Sequence, residues 1–206
     1  MQNVGSIQIW TYDTAGLSKA DEALVAEKWP KRFLKANRFR SEEARRQCIG
    51  AGVLLAAAGF SEERYFVSER GKPFIENGPA ISITHSGHLV LLAVSRDETV
   101  GADLEILKEK DVRVFDRILQ AEEAEWIGSD PARFLSVFTA KESVMKALGT
   151  GFATPPSSFS VYGSFAGSPV EAENARFFVK TFQYEDAVVS VASGSEIREI
   201  TLYTAR

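Results

Sequence analysis

The chain has 206 residues, 45% of them apolar and 25% charged, with a formal net charge of −4. That is ordinary globular composition, and the length suffices to bury a full core without staples. A net anion does not expect nucleic acid as the partner of its whole surface, and no apolar run approaches the length that spans a bilayer. The single cysteine, Cys48, makes no internal disulfide, and no basic segment followed by an apolar run opens the chain. The expectation is a soluble cytoplasmic protein, one compact body. Its charge is uneven: Lys31 to Arg46 carries seven basic and two acidic residues, and Asp97 to Asp130 eleven acidic and four basic. Each run reads either as a solvated face or as a phosphate patch and a cation site respectively.

In chain order, Ser6 to Tyr12 reads as a buried strand. Ser18 with Asp21 opens a helix that Pro30 interrupts. Lys31 to Phe39 reads as helical and basic, and Ser41 caps a third helix running to Gly59. Extended pieces follow at Tyr65–Val67, Ala80–His85 and Leu89–Ser95, the last two joined by a Gly-containing hairpin loop. The second half repeats the order: a strand at Thr99–Glu105, helices near Val112–Ile127 and Pro131–Leu148, then strands at Phe159–Tyr162, Arg176–Tyr184, Ala187–Ser193 and Ile197–Tyr203. Gly163–Pro169 and Thr150–Ser158 read as loops. This predicts an α+β fold of two similar α/β lobes, residues 1–97 and 98–206, related by a pseudo-two-fold axis with a ligand cleft between them.

The helix from Pro131 organises the rest. Asp130 caps it, Pro131 suits its first turn, and Gly149 suits its end. Phe134, Val137, Phe138, Val144, Met145 and Leu148 form an apolar lane. Thr139, Ala140, Ser143 and Ala147 form a small-residue face against which another backbone can pack. Glu142 and Lys146, one turn apart, read alone as an i,i+4 ion pair worth a few tenths of a kcal/mol. On the strand, Gly101, Asp103 and Glu105 share one face. Two carboxylates there repel unless a cation or donors lie between them, and alone they read as a solvent-facing strand end. Glu142 added to them suits a hard dication such as Mg²⁺. Two histidines and one cysteine are too few for zinc. No Walker loop, dinucleotide fingerprint or nucleophile elbow is present.

Taken in order, Gly71-Lys72-Pro73, Thr84-His85-Ser86, Val100-Gly101-Ala102-Asp103-Leu104-Glu105 and Phe138-Thr139-Ala140-Lys141-Glu142-Ser143-Val144-Met145-Lys146-Ala147-Leu148-Gly149 resemble the 4′-phosphopantetheinyl transferases of the two-lobed, Sfp-type branch. That family carries G-K-P, S-H-S, V/I-G-x-D-x-E and W-S/T-x-K-E-S/A-x-x-K-x-x-G. Phe138 stands for its Trp and Thr84 for its Ser. The motif-bearing region runs from about Arg38 to Phe152.

The resemblance implies transfer of the 4′-phosphopantetheine arm of coenzyme A to a serine of an apo acyl or peptidyl carrier protein, releasing adenosine 3′,5′-bisphosphate. The setting is fatty-acid, polyketide or nonribosomal peptide biosynthesis. It implies Mg²⁺, or Mn²⁺ in its place, on Asp103, Glu105 and Glu142. Lys146 lies on the pyrophosphate, and Glu142, Lys146 and Asp103 are the catalytic residues. Arg32, Lys35, Arg46, Lys72, Thr84, His85 and Lys146 hold coenzyme A. A monomer is expected, with no nucleic-acid or membrane partner. The alternative is a non-catalytic coenzyme A or carrier-binding module that kept the pocket.

Overall fold

The computed structural model describes residues 5–96, 99–107, 117–150 and 153–205. The chain is α+β. Strand β1 (Ser6–Asp13) leads into helices α1 (Lys19–Lys28), α2 (Pro30–Ala36) and α3 (Glu42–Ala57), then strands β2 (Tyr65–Val67), β3 (Pro73–Ile75), β4 (Ala80–Ser86) and β5 (Leu89–Ser95). Strand β6 (Val100–Ile106), helices α4 (Ala121–Ile127) and α5 (Pro131–Leu148), and strands β7 (Val170–Ala172), β8 (Ala175–Tyr184), β9 (Ala187–Ser193) and β10 (Glu199–Thr204) follow.

Two four-stranded sheets result, ordered β10-β1-β5-β4 and β6-β9-β8-β7, with β2-β3 as a separate ribbon. Both β5 and β9 are buried along their whole length, because each face of each strand meets a different core. Leu89, Leu91 and Ala93 join Val100, Ala102, Leu104, Val189 and Val191 in a core between the sheets. Val90, Leu92 and Val94 face α1–α3, with Trp29, Ile49 and Leu54. Val188 and Ala192 face α5, with Phe134, Val137 and Val144. A strand that alternates between two apolar cores reads as a continuous apolar run, which is how both appear in the sequence.

The sequence expectations are met at most of the long elements and miss elsewhere. Phe159–Tyr162 is not a strand; its backbone lies between two short 3-10 turns, Pro156–Ser158 and Tyr162–Ala166, and β7 forms instead at Val170–Ala172. Gly163–Pro169, expected as loop, is thus partly 3-10. Strand β3 was not anticipated. The helix expected near Val112–Ile127 is seen as Ala121–Ile127, and residues 112–116 lie outside the described residues. The last strand, β10, pairs in parallel with β1 from Ser6↔Glu199 to Thr11↔Thr204. The end of the segment expected as the second lobe therefore joins the sheet of the first.

The sheets meet along β4 and β6 through hydroxyls at every second residue. Ser82 Oγ accepts from Ala102 N at 3.0 Å, Thr84 Oγ1 donates to Asp103 Oδ1 at 2.9 Å, and Ser86 Oγ donates to Glu105 Oε2 at 2.8 Å. The period of two that puts Ser82, Thr84 and Ser86 on one side of β4 makes this seam.

Candidate active site

Helix α5 lies across β6. Asp130 Oδ1 accepts from Ala132 N and Arg133 N, Pro131 fills the first turn, and Gly149 closes the helix with φ 69°. Its small face lets the two backbones touch. A Cβ on Gly101 would overlap the Ser143 carbonyl and the Ala147 amide and stand 3.0 Å from Ala147 Cα. Glycine is the residue that permits this approach. The close packing brings Asp103, on the Gly101 side of β6, under Lys146.

Asp103 is 5% exposed. Its Oδ1 accepts from Lys146 Nζ at 2.6 Å and from Thr84 Oγ1 at 2.9 Å, while Lys146 Nζ also donates to Thr84 Oγ1 at 3.1 Å. Asp103 Oδ2 is buried and, among the described residues, has no hydrogen-bond partner. A carboxylate oxygen left so costs free energy unless a donor or cation completes it. Burial pushes the Asp103 carboxyl above the ordinary carboxylate range, with Lys146 and Thr84 opposing. Burial likewise raises Glu142, and the charges of Asp103 and Glu105 add to it. The three acids therefore feel one another, and the orphaned Oδ2 beside them fits a hard cation better than a solvated surface. Their ligand atoms do not close into a compact set: among the described residues, the three-residue group with ligand atoms mutually within 4.8 Å is His88, Glu185 and Asp186, at the surface.

Beside this pair a cleft of about 240 Å³ is lined from both halves of the chain, by Arg70, Lys72 and Pro73 on one side and Glu142, Met145 and Lys146 on the other. Lys72 Nζ donates to the Ala147 carbonyl at 2.6 Å and contacts Thr99 Oγ1 at 3.3 Å, and burial lowers its ammonium to about 8. It thus sits on the C-terminal carbonyls of α5, where a cation complements the helix dipole. His85 is exposed on the other side of β4, yet the surrounding protein and the charge of Lys146 hold its imidazole below its ordinary value. Arg70 was not among the residues expected here; its place in the turn before Gly71 was the available signal.

Of the expected coenzyme A ligands, Thr84, His85, Arg32, Arg46 and Lys35 are not among the residues lining this cleft. Arg32 stacks its guanidinium against Trp29 and Tyr65, at 5.9 and 5.1 Å from the ring centroids. Arg46 donates to the Thr14 carbonyl at 3.1 Å and pairs with Glu42 at 3.3 Å. Lys35 is exposed on α2.

Lys141, next to Glu142, takes another path. It is 1% exposed, pairs with the fully buried Glu123 at 2.9 Å, and donates to the carbonyls of Pro156 and Phe159 at 2.9 and 2.6 Å. Glu123 in turn accepts from the backbone N–H groups of Val161 and Gln120. The pair fastens α4 and the 156–161 segment to α5.

Residues 99–192 match a family model described as the 4′-phosphopantetheinyl transferase superfamily. The chain is similar to 4′-phosphopantetheinyl transferase gsp of Aneurinibacillus migulanus, 28% identical over 57% of this chain and 52% of that one, so it spans about half of that relative's length. It is 28% identical to 4′-phosphopantetheinyl transferase psf-1 of Bacillus pumilus over 75% of this chain and 72% of that one. It is also 28% identical to 4′-phosphopantetheinyl transferase Sfp of Bacillus subtilis strain 168, over 64% of this chain and 65% of the relative. The family-model match takes in the strand of Asp103 and the helix of Glu142 that the fold packs together, and in this region the chain is similar to the 4′-phosphopantetheinyl transferases.

Proposed function

We propose that this protein transfers the 4′-phosphopantetheine arm of coenzyme A to a serine of an apo acyl or peptidyl carrier protein. The observation that carries the reading is the buried, unpartnered Asp103 Oδ2 beside Glu142 and Lys146, at a cleft whose lining also holds Arg70 and Lys72. Such a place needs a cation for its acids and a polyanion for its bases, and coenzyme A with Mg²⁺ supplies both.

Asp103, Glu105 and Glu142 would hold the ion, whose chemistry when bound is to polarise the phosphorus and neutralise the departing charge. Thr84 orients the Asp103 carboxylate. Lys146 reaches the pyrophosphate and Lys72 a neighbouring phosphate at the cleft, while His85, Arg32, Lys35 and Arg46, outside its lining, would reach only parts of coenzyme A that extend beyond it. The carrier's serine oxygen forms a bond to the phosphorus on the pantetheine side. The bond from that phosphorus to the bridging oxygen breaks, and adenosine 3′,5′-bisphosphate leaves. The serine proton passes to Glu142 directly or through a water. The nucleophile belongs to the carrier, which explains why this chain has no nucleophile motif of its own.

The two-lobed division at residue 97, a monomeric state and a cytoplasmic location belong to the same reading. Among the described residues no helix is long and apolar enough to cross a membrane. The test is intact mass spectrometry of a panel of apo carrier proteins incubated with coenzyme A and Mg²⁺. One carrier at least should gain the mass of the phosphopantetheine arm; no gain on any carrier, with coenzyme A still bound, would favour the non-catalytic module.

A further inference from the structure

Lys146 stands in a place where a phosphate ligand has no need to be. Its ammonium lies 2.6 Å from Asp103 Oδ1 and 3.1 Å from Thr84 Oγ1, and its side chain is one-third exposed at the cleft. Asp103 has an unused oxygen, but in this arrangement an ion from the cleft has no open path to it. Its Oδ1 already accepts from two donors, Lys146 and Thr84. Its Oδ2 is sealed from solvent. An ion arriving from the cleft reaches this carboxylate only if Lys146 lets go, or if the carboxylate turns and so breaks the same bond. The cleft beside Lys146 gives the displaced side chain somewhere to go, and its flexible stem makes the move inexpensive.

We propose that Lys146 is an internal counter-ion for Asp103, exchanged for a divalent cation, so that loading the metal is the event that delivers the Lys146 ammonium to the anionic substrate. This rests on the metal reading above and deepens it. While the site is unloaded, Lys146 neutralises the buried carboxylate that would otherwise repel Glu105 and Glu142. When the ion takes Asp103, the ammonium loses its partner and is set toward a pyrophosphate at the cleft. Metal and polyanion binding are coupled through one side chain, each favouring the other.

Two measurements on the full chain test this without an activity assay. The first is Mn²⁺ binding without coenzyme A, followed by electron paramagnetic resonance. Lys146→Gln should bind Mn²⁺ roughly tenfold more tightly than the wild type, in the ordinary range of coupling between sites. Lys146→Arg should stay near the wild type because it keeps a competing cation, and Asp103→Asn should lose binding in both backgrounds. Equal or weaker binding by Lys146→Gln overturns the exchange. The second uses the wild type alone: the ¹⁵N-lysine ammonium resonance of Lys146, protected while bonded to Asp103, should disappear when Mg²⁺ saturates the protein. A resonance that persists under saturating Mg²⁺ also overturns it, while leaving the metal site standing. Absence of Mn²⁺ binding in every variant removes the metal reading and the exchange together.

Discussion

Asp103 and Glu142 carry opposite local risks. One is a sealed carboxylate with an unused oxygen, the other a half-buried acid whose proton burial holds on to. Asp103→Asn keeps the shape and removes the charge, so arm transfer should fall on the order of 10³-fold, as when one preorganised electrostatic group is lost, with the circular dichroism spectrum unchanged. Transfer within a few fold of wild type would remove Asp103 from the machinery. Lys72 makes a different prediction. Its ammonium titrates near 8 in the fold and near 10.5 when unfolded, so between those values the unfolded chain binds more protons. Stability contributed by Lys72 therefore rises with pH from about 8 to 10.5, and below that window the residue carries a constant penalty. Urea unfolding from pH 7 to 10 should show the wild type gaining on Lys72→Met as pH rises; a flat difference would mean that Lys72 titrates as an exposed lysine. Lys72 also shows the limit of reading residues alone. A lysine beside a glycine in a turn was legible as a cation near a phosphate, but its actual partner, the Ala147 carbonyl, lies 75 positions away and is fixed by packing.

The helix α5 was legible almost residue by residue, because cap, proline, apolar lane and terminal glycine all agree. The small face predicted a close neighbour, and Gly101 is that neighbour. Gly101→Ala forces the strand and helix apart. It should cost several kcal/mol in urea unfolding, in the range of about 1–3 kcal/mol or more for overpacking, and should weaken coenzyme A binding as Lys146 and Asp103 separate. Wild-type stability and affinity in that variant would contradict the close packing. Phe159–Tyr162 was misread for a physical reason. Its apolar alternation looks like a strand, but the Phe159 carbonyl and the Val161 amide are spent on Lys141 and Glu123, so neither can join a ladder. An ion pair buried among apolar neighbours leaves little trace in a local window. Breaking it on one side, as in Glu123→Gln or Lys141→Met, should cost about 3–5 kcal/mol, whereas replacing both partners by apolar residues should cost less. If single and double variants unfold at the same denaturant concentration, the pair is not coupled.

At the scale of the molecule, the division into halves is crossed at several places. Hydroxyls join β4 to β6, and β10 returns from the end of the chain to cover the edge of β1, with Tyr203 stacked on Trp10 at 4.4 Å. No local pattern marks that return, since β10 reads only as one more amphipathic strand. Ending the chain after Ile197 should leave β1 an open edge and lower the thermal midpoint by roughly 10 °C; an unchanged midpoint would show β10 to be an ornament. The carboxylates of the site were legible because D-x-E and K-E-x-x-x-K each declare a face, and only the order of motifs suggested that those faces meet. What the fold adds is that Lys146 pairs with Asp103 beside a cleft that Lys146 and Glu142 both line. The most direct test is a crystal of the protein with coenzyme A and Mn²⁺, read at the manganese absorption edge. The account predicts one strong anomalous peak held by Asp103, Glu105 and Glu142. No peak there, or a peak only at His88, Glu185 and Asp186, would contradict it.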